Sequence, residues 1–309
     1  MIESADHIRY MTREEIDIDK WDNCIINARN GLIYARSFYL DAMAENWSAL
    51  VMNNYESVMP LTWNRKYGIR YLYQPPFTAQ LGIFSAGPIN QKMISSFIFQ
   101  SKKLFRFCEM RLNHSNMLQN LPVQANYILD LQATYEQIRG KYKKSLVRNL
   151  KSGHLNTMSY CSSTDFQKVV QLYRVNYGRR FPHVTSNHYQ RFETLCADLS
   201  KRKMGIIRQV ITEISKEILS AGIFFRDEKR IYNIMPVTPP EGRKRLANPY
   251  LLNQLIKEFS GEKKILDFEG SEIAGIAAFY KKFGSTLEPY PFLKFNRLPF
   301  PLRYLKQRV

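Results

Sequence analysis

The sequence lacks most of the short signatures that announce a chemistry. It contains no GxSxG, no Walker loop, no HExxH and no dinucleotide-type GxGxxG. These absences argue against an activated-serine hydrolase, a P-loop nucleotide enzyme, a zinc peptidase and a Rossmann dehydrogenase. The four cysteines (Cys24, Cys108, Cys161 and Cys196) lie far apart with no CxxC or Cys/His spacing. The expectation is buried free thiols in a reducing cytoplasm. His7, His114, His154, His183 and His188 form no ligand spacing either, so no metal is expected. No apolar run is long enough to span a bilayer, and the charged stretch Met1–Lys20 is not a signal peptide. A cytoplasmic protein is expected, with room for peripheral contact at the inner membrane face.

Acidic residues are also scarce. Asp and Glu number 27 against 45 Lys and Arg, a formal charge of +18. Such a field favours an anionic partner: nucleic acid, a phosphorylated ligand or an anionic membrane surface. What is abundant is apolar and aromatic. Hydrophobic residues make up 45% and aromatics 13% of 309 residues, enough to fill the cores of two ordinary domains.

The periodicities support two similar halves. In the first, helical spacing covers Ile18–Ala28 and Ser37–Glu45, followed by strand patterns over Trp47–Asn53, Ser57–Trp63 and Ile69–Gln74. The run from Gln74 to Phe84 leaves the sheet through two prolines, which a central strand does not tolerate. A helix over Gln91–Phe105 and one strand over Val123–Leu131 complete this half. The second half starts with helices at Asp165–Tyr177 and Asn187–Lys203, with Thr164 and Ser186 as cap candidates. Strands at Gly205–Thr212, Glu217–Arg226 and Arg230–Val237 follow. Then come a helix at Pro249–Phe259, a strand at Lys264–Phe268, a helix at Glu272–Phe283 and a final strand at Glu288–Phe295. The order of elements repeats, though the sequence does not.

Between the halves, one amphipathic helix is expected across Tyr135–Gly153. At 100° per residue it places Lys141, Lys144, Arg148 and Lys151 on one face, opposite Ile138, Tyr142, Leu146 and Leu150. That basic face can bind an anionic ligand or be an ordinary solvated surface. Further basic clusters stand at Lys201-Arg202-Lys203 and Arg243-Lys244-Arg245. The second of these precedes a helix start, where free backbone N–H groups and cations together make a phosphate cradle. Arg243, Lys244, Arg245 and Asn248 are therefore the candidates for holding a donor phosphate. A plain strand-to-helix connection fits the same residues.

The order of elements resembles the GNAT acyltransferase fold, most specifically at Ile276-Ala-Ala-Phe-Tyr-Lys-Lys-Phe-Gly284. This is similar to the family's helix in which a Tyr precedes a Lys-x-Gly ending. By that resemblance Tyr280 would protonate the leaving group, although it also shares the apolar stripe of Ile273, Ile276, Ala277 and Phe283, as a core residue would. The doubled pattern, with a basic helix before the second half, resembles the tandem-GNAT Fem family. The segments Gln74–Phe84, Asn126–Leu131, Leu266–Ser271 and Pro289–Phe295 carry the likeness. It implies an α/β (α+β) protein of two tandem GNAT-like domains, each a mixed central sheet flanked by helices. The expected boundaries are an acceptor-side domain at 1–133, a basic connector at 134–154 and a donor-side domain at 155–309.

The resemblance implies an N-acyltransferase that moves an acyl or aminoacyl group from acyl-CoA or aminoacyl-tRNA to an amine, without a metal. The acceptor would be a cell-wall precursor or a small amine, and no DNA readout is expected. One departure stands out. Where many GNAT enzymes carry glycines in the phosphate loop, this chain has Leu246 and Asn248, which hinders close backbone approach to a pyrophosphate. Glu269 and Asp267 are the carboxylates placed to take the amine proton, on one face of the strand as it leaves the sheet. Gln74, Phe77 and Gln80 are expected to shape the acceptor cleft. The alternative is a non-catalytic GNAT-fold module that binds RNA or anionic lipid through its basic surface.

Overall fold

The computed structural model describes residues 7–151, 157–270 and 273–305. The end of the expected connector (152–154, with His154), Ser271 and the expected helix start at Glu272 lie outside the described residues. The early strands are β1 (Ile8–Thr12), β2 (Asn46–Met52), β3 (Ser57–Lys66), β4 (Ile69–Leu72), β5 (Phe84–Ser85), β6 (Phe107–Arg111) and β7 (Val123–Gln124). Next come β8 (Tyr127–Asp130), β9 (Met158–Ser163), β10 (Gly205–Thr212), β11 (Ile218–Arg226), β12 (Arg230–Val237), β13 (Ile265–Asp267), β14 (Thr286–Leu287) and β15 (Tyr290–Asn296). The helices in the first part are α1 (Ile18–Asn27), α2 (Ser37–Met43) and α3 (Gln91–Leu104). The rest are α4 (Tyr135–Gly140), α5 (Lys144–Asn149), α6 (Phe166–Tyr177), α7 (Ser186–Lys201), α8 (Pro240–Lys244), α9 (Ala247–Phe259), α10 (Ala274–Lys281) and α11 (Leu302–Leu305).

The chain forms two compact units, Met1–Gln124 with Pro289–Val309, and Ala125–Glu288. Each is built on one mixed sheet. The first runs β1-β2-β3-β4-β6-β15-β7 with β5 on β3, and the second runs β9-β10-β11-β12-β13-β8-β14. The two orders correspond strand for strand. In each, a four-strand antiparallel meander meets a parallel neighbour, and a strand from elsewhere in the chain pairs beyond it.

Helices cover the second sheet on both faces. Adjacent residues on β11 point opposite ways, as the pleat requires. Phe224 joins the core under α9 with Leu251, Leu255 and Ile256, while Phe225 meets Phe192 of α7 at 5.6 Å. Gly242 in α8 allows the closest approach, since a Cβ there would lie 1.6 Å from the Leu219 carbonyl oxygen.

Three expectations need correction. The single strand at Val123–Leu131 is two strands, β7 and β8, which belong to different sheets. The final strand, β15, belongs to the first unit rather than the second, where it pairs with β6 and β7. The boundaries therefore fall at Gln124/Ala125 and Glu288/Pro289, not after residues 133 and 154. Alternation reports which face of a strand is buried, not which strand lies beside it.

The connector is also not one helix. It breaks at Lys141–Lys143 into α4 and α5, and the Lys143 N–H bonds the Lys282 carbonyl at 2.9 Å. Gly284 closes the turn beneath it at φ +74, where a Cβ would sit 2.7 Å from that of Lys141. The amphipathic pattern survives the break. Ile138, Tyr142 and Leu146 are buried, and Lys141, Lys144, Arg148 and Lys151 are exposed.

In both sheets the parallel pair is short and then opens. β4 and β6 share only the Leu72–Cys108 pairing. β12 and β13 pair from Arg230–Ile265 to Tyr232–Asp267 and then part. The first opening is filled from within its own unit. Leu81 bridges Leu112, the Gln74 side-chain oxygen accepts the Arg111 N–H at 3.0 Å, and that of Gln80 accepts the His114 N–H at 2.9 Å. The second opening is not filled in this way. Among the described residues, Asn233–Val237 have no strand partner on the β13 side.

A buried ionic cluster closes the lower end of the second opening. Arg230 bonds Asp267 at 2.9 Å and grips Glu288 with two nitrogens at 2.8 and 2.7 Å. Asn126 donates to Asp267 at 3.0 Å. Burial disfavours the Arg230 charge, but the hydrogen bonds to Glu288 and the field of Asp267 outweigh it and raise its pKa.

Removing the cation alone strands two carboxylates. Arg230→Met should cost about 3–5 kcal/mol in denaturant unfolding. Adding Asp267→Asn and Glu288→Gln to that variant should recover much of the loss. If Arg230→Met unfolds like the parent, the cluster does not organise this unit.

Candidate active site

The open stretch of β12 begins at Asn233, a buried polar residue followed by the apolar run Ile234–Val237. Its side chain lies close enough to the Tyr280 hydroxyl to act on its titration. Tyr280 lies near the end of α10, and its ring stacks on Phe268 with centroids 4.5 Å apart and planes 19° apart. The ring is thus part of the core, as one of the two sequence readings expected. Burial pushes this hydroxyl far above the usual tyrosine range, and the nearby charge of Glu269 adds to the shift. The Asn233 side chain opposes it. Tyr280 therefore stays protonated at any ordinary pH, as a proton donor must.

Asp267 and Glu269 do not share the face of an extended strand. β13 ends at Asp267, and Glu269 and Gly270 turn into the left-handed region with φ 67 and 62. Asp267 is drawn into the ionic cluster. Its second oxygen accepts from Asn126 and from the Glu269 N–H, each at 3.0 Å. Both oxygens are thus committed, and one of them holds the Glu269 N–H. Glu269 itself is different. Among the described residues, its Oε1 is shielded from solvent and has no hydrogen-bond partner. Burial pushes its carboxyl up to about 8.

The phosphate cradle is more structured than expected. The loop after β12 contains α8, and α9 starts at Ala247, two residues before Pro249. Leu246 has φ 59 and ψ 34, the left-handed conformation a glycine takes without strain. For leucine this costs about 1 kcal/mol. Among the described residues no hydrogen bond is made by the N–H groups of Ala247 and Asn248, and Pro249 has none to offer.

The three cations are distributed unevenly. Arg243 donates to the Thr238 carbonyl at 3.0 Å, and Arg245 pairs with Glu241 at 2.8 Å. Lys244 is largely exposed, 3.7 Å from the same carboxylate. The local charge is therefore partly offset by Glu241, which the sequence reading did not weigh.

The remaining candidates have other placements. Gln74 and Gln80 spend their side-chain oxygens bracing the fill of the first opening. Phe77 sits there at φ 57, and its carbonyl accepts the Tyr39 hydroxyl. Lys141, Lys144, Arg148 and Lys151 remain exposed on the α4–α5 segment. All four cysteines are free thiols, and three of them are buried. Among the described residues no cluster of His, Cys, Asp and Glu could hold a metal ion. Sequence reasoning missed Asn233 and Phe268. Asn233 carried a usable signal, one amide inside the β-forming run Arg230–Val237.

No family model and no curated protein matches the chain. Solved structures do match it. It is similar to FemX at 12% identity, with a TM-score of 0.61, over 96% of this chain and 99% of that one. A tandem GNAT protein from the clavulanic acid biosynthesis pathway matches at 9% identity and TM-score 0.53, over 95% of this chain and 99% of that one. The C-terminal domain of a putative lysylphosphatidylglycerol synthetase from Agrobacterium fabrum matches at 10% identity and TM-score 0.54, over 94% and 95%. The chain thus has the tandem GNAT fold.

The Glu269 carboxyl yields a pH prediction. Unfolded, it titrates near 4.5, and folded near 8. Between these values the folded state holds the extra proton, so stability is greatest below about 4.5 and falls until about 8. Glu269→Gln should remove this decline. The variant should gain on the parent by on the order of 3 kcal/mol between acid and mildly alkaline pH. Parallel melting curves for the two proteins across this range would remove the buried-carboxyl assignment.

Proposed function

We propose that the second unit is an N-acyltransferase that moves an acyl or aminoacyl group from a phosphate-bearing donor to an amine. The observation that carries the reading is the stretch of β12 left without a strand partner on the β13 side, with the Tyr280 hydroxyl and the Glu269 carboxyl near its start. The tandem GNAT fold supports the same reading, since FemX and a clavulanic acid pathway GNAT protein share it.

In this mechanism the donor phosphates meet the free N–H groups of Ala247 and Asn248, with Lys244 and the positive end of α9 adding charge. With a CoA donor, the pantetheine arm lies along the edge of β12 that lacks a strand partner, where backbone groups can bond its amides. Glu269, ionised near pH 8, accepts a proton from the acceptor ammonium and frees its lone pair. The nitrogen attacks the acyl carbonyl carbon, forming the C–N bond. Collapse of the tetrahedral intermediate breaks the bond to the leaving sulfur of CoA or oxygen of tRNA; Tyr280 protonates that atom and regains its proton from the second one the nitrogen sheds as the amide forms. Asn233, beside Tyr280, favours the phenolate that this transfer forms.

Screening acyl-CoAs and aminoacyl-tRNA for a melting-temperature shift, then for transfer to amines, tests the assignment. Glu269→Gln should lower kcat/KM by about 100-fold and erase the rising limb of the pH profile. Tyr280→Phe keeps the ring stack and should lower kcat by about tenfold or more without loss of folding. Turnover unchanged in both variants removes these two residues from the chemistry. Leu246→Gly should tighten acyl-CoA binding by about tenfold if a pyrophosphate sits on these amides. No change there favours aminoacyl-tRNA as donor.

A further inference from the structure

The first unit carries a surface that acyl transfer does not use. The run from Ser57 to Cys108 contains no Asp or Glu, and neither does the run from Pro289 to Val309. Both runs belong to this unit. The fold brings three of their pieces together: the β3–β4 turn, the end of α3 with the turn after it, and the segment after β15. Arg297 fastens the last two, donating its N–H to the Arg106 carbonyl at 2.7 Å and its guanidinium to the Lys102 carbonyl at 2.9 Å. Arg70 reaches from the hairpin to within 5.6 Å of the Phe105 ring.

Large apolar side chains stand out from this surface. Phe300 is 83% exposed, Tyr67 78%, Tyr304 62% and Phe99 57%. Water disfavours such a concentration of aromatic surface on one face. Around these rings lie exposed cations, among them Arg65, Lys66, Lys102, Lys103 and Arg303. None of these five has an ion-pair partner among the described residues. Between the pieces open shallow clefts. One of about 360 Å³ is lined by Tyr67, Tyr71 and Phe107 together with Ile69, Leu298 and Leu302, with Lys66 at its edge. Another, of about 320 Å³, lies between Phe99 and Phe295 beside Lys102.

We propose that this face docks the protein on an anionic lipid bilayer. The cations meet headgroup phosphates, the aromatic rings settle at headgroup depth, and the larger apolar cleft takes the upper part of acyl chains. Single-stranded RNA would also attract cations and stack on aromatic rings. The aliphatic walls Ile69, Leu298 and Leu302, which stand among the rings of the larger cleft, give bases nothing to stack on but suit acyl chains. No described helix is long and apolar enough to cross a membrane, so the attachment is peripheral. The inference is independent of the acyl-transfer reading.

Sedimentation of the full chain with vesicles tests it. Binding should be strong to phosphatidylcholine vesicles containing phosphatidylglycerol, weak to phosphatidylcholine alone, and should fall as salt rises. Reversing Arg65, Lys66, Lys102 and Lys103 to Glu should weaken binding by about 100-fold. Tyr67→Ser with Phe300→Ser should weaken it by about tenfold with the melting temperature unchanged. In an otherwise native chain, Phe300→Trp should shift its emission to the blue on adding anionic vesicles. Equal binding to neutral vesicles, unchanged binding by the folded variants, or no Phe300→Trp shift overturns the proposal. So does loss of RNA binding in these variants while vesicle binding persists.

Discussion

The second unit depends on a charge that has no easy place to go. Arg230 is nearly sealed from solvent on a central strand, where a bare guanidinium would be very costly. Asp267 and Glu288 answer it from two other segments, and Asn126 ties in a fourth. Apolar side chains could fill that space with equal or better stability. They could not set four segments at fixed distances with fixed directions. The cluster therefore defines where the pairing of β12 and β13 stops. Through the Asp267 oxygen that holds the Glu269 N–H, it also defines where the unpartnered carboxyl is placed. A polar network deep in the sheet thus orients the group that the mechanism uses at its edge.

The two sheets show one architectural feature used in two ways. A parallel pair that separates leaves backbone groups to satisfy, and there are only a few sources of partners. The first unit supplies its own, a proline-rich segment whose glutamine side chains imitate a missing strand. In the second unit the edge of Asn233–Val237 stays available to something from outside. This difference, rather than any catalytic motif, separates a supporting unit from a candidate catalytic one.

Much of this was legible in the sequence, and the limits follow physical lines. Helices α1, α3, α6 and α7 and the meander β10–β12 came through because burial and periodicity are local. The tandem fold was visible from element order. The exchanged strands were not, because alternation at Val123–Leu131 looks the same whichever sheet receives it. The connector's polarity was right and its continuity wrong, since the break at Lys143 depends on a carbonyl at Lys282, far along the chain. In the candidate site, Tyr280 and Glu269 were named from their positions relative to α10 and β13, and the fold brings them close together. Asp267 was misjudged because its partner, Arg230, is distant in sequence, and no spacing rule links them.

The placement of β15 has a bearing on how the protein is made. The first sheet needs this strand between β6 and β7, yet it follows every strand of the second unit in the chain. On the ribosome the amino-terminal sheet must therefore wait, its β6 edge bare, until almost the whole polypeptide has emerged. An unpaired edge of that kind invites wrong partners. The two halves of the sequence are in this sense not separable modules joined by a linker. They mature together, and cutting the gene between them would leave two incomplete sheets.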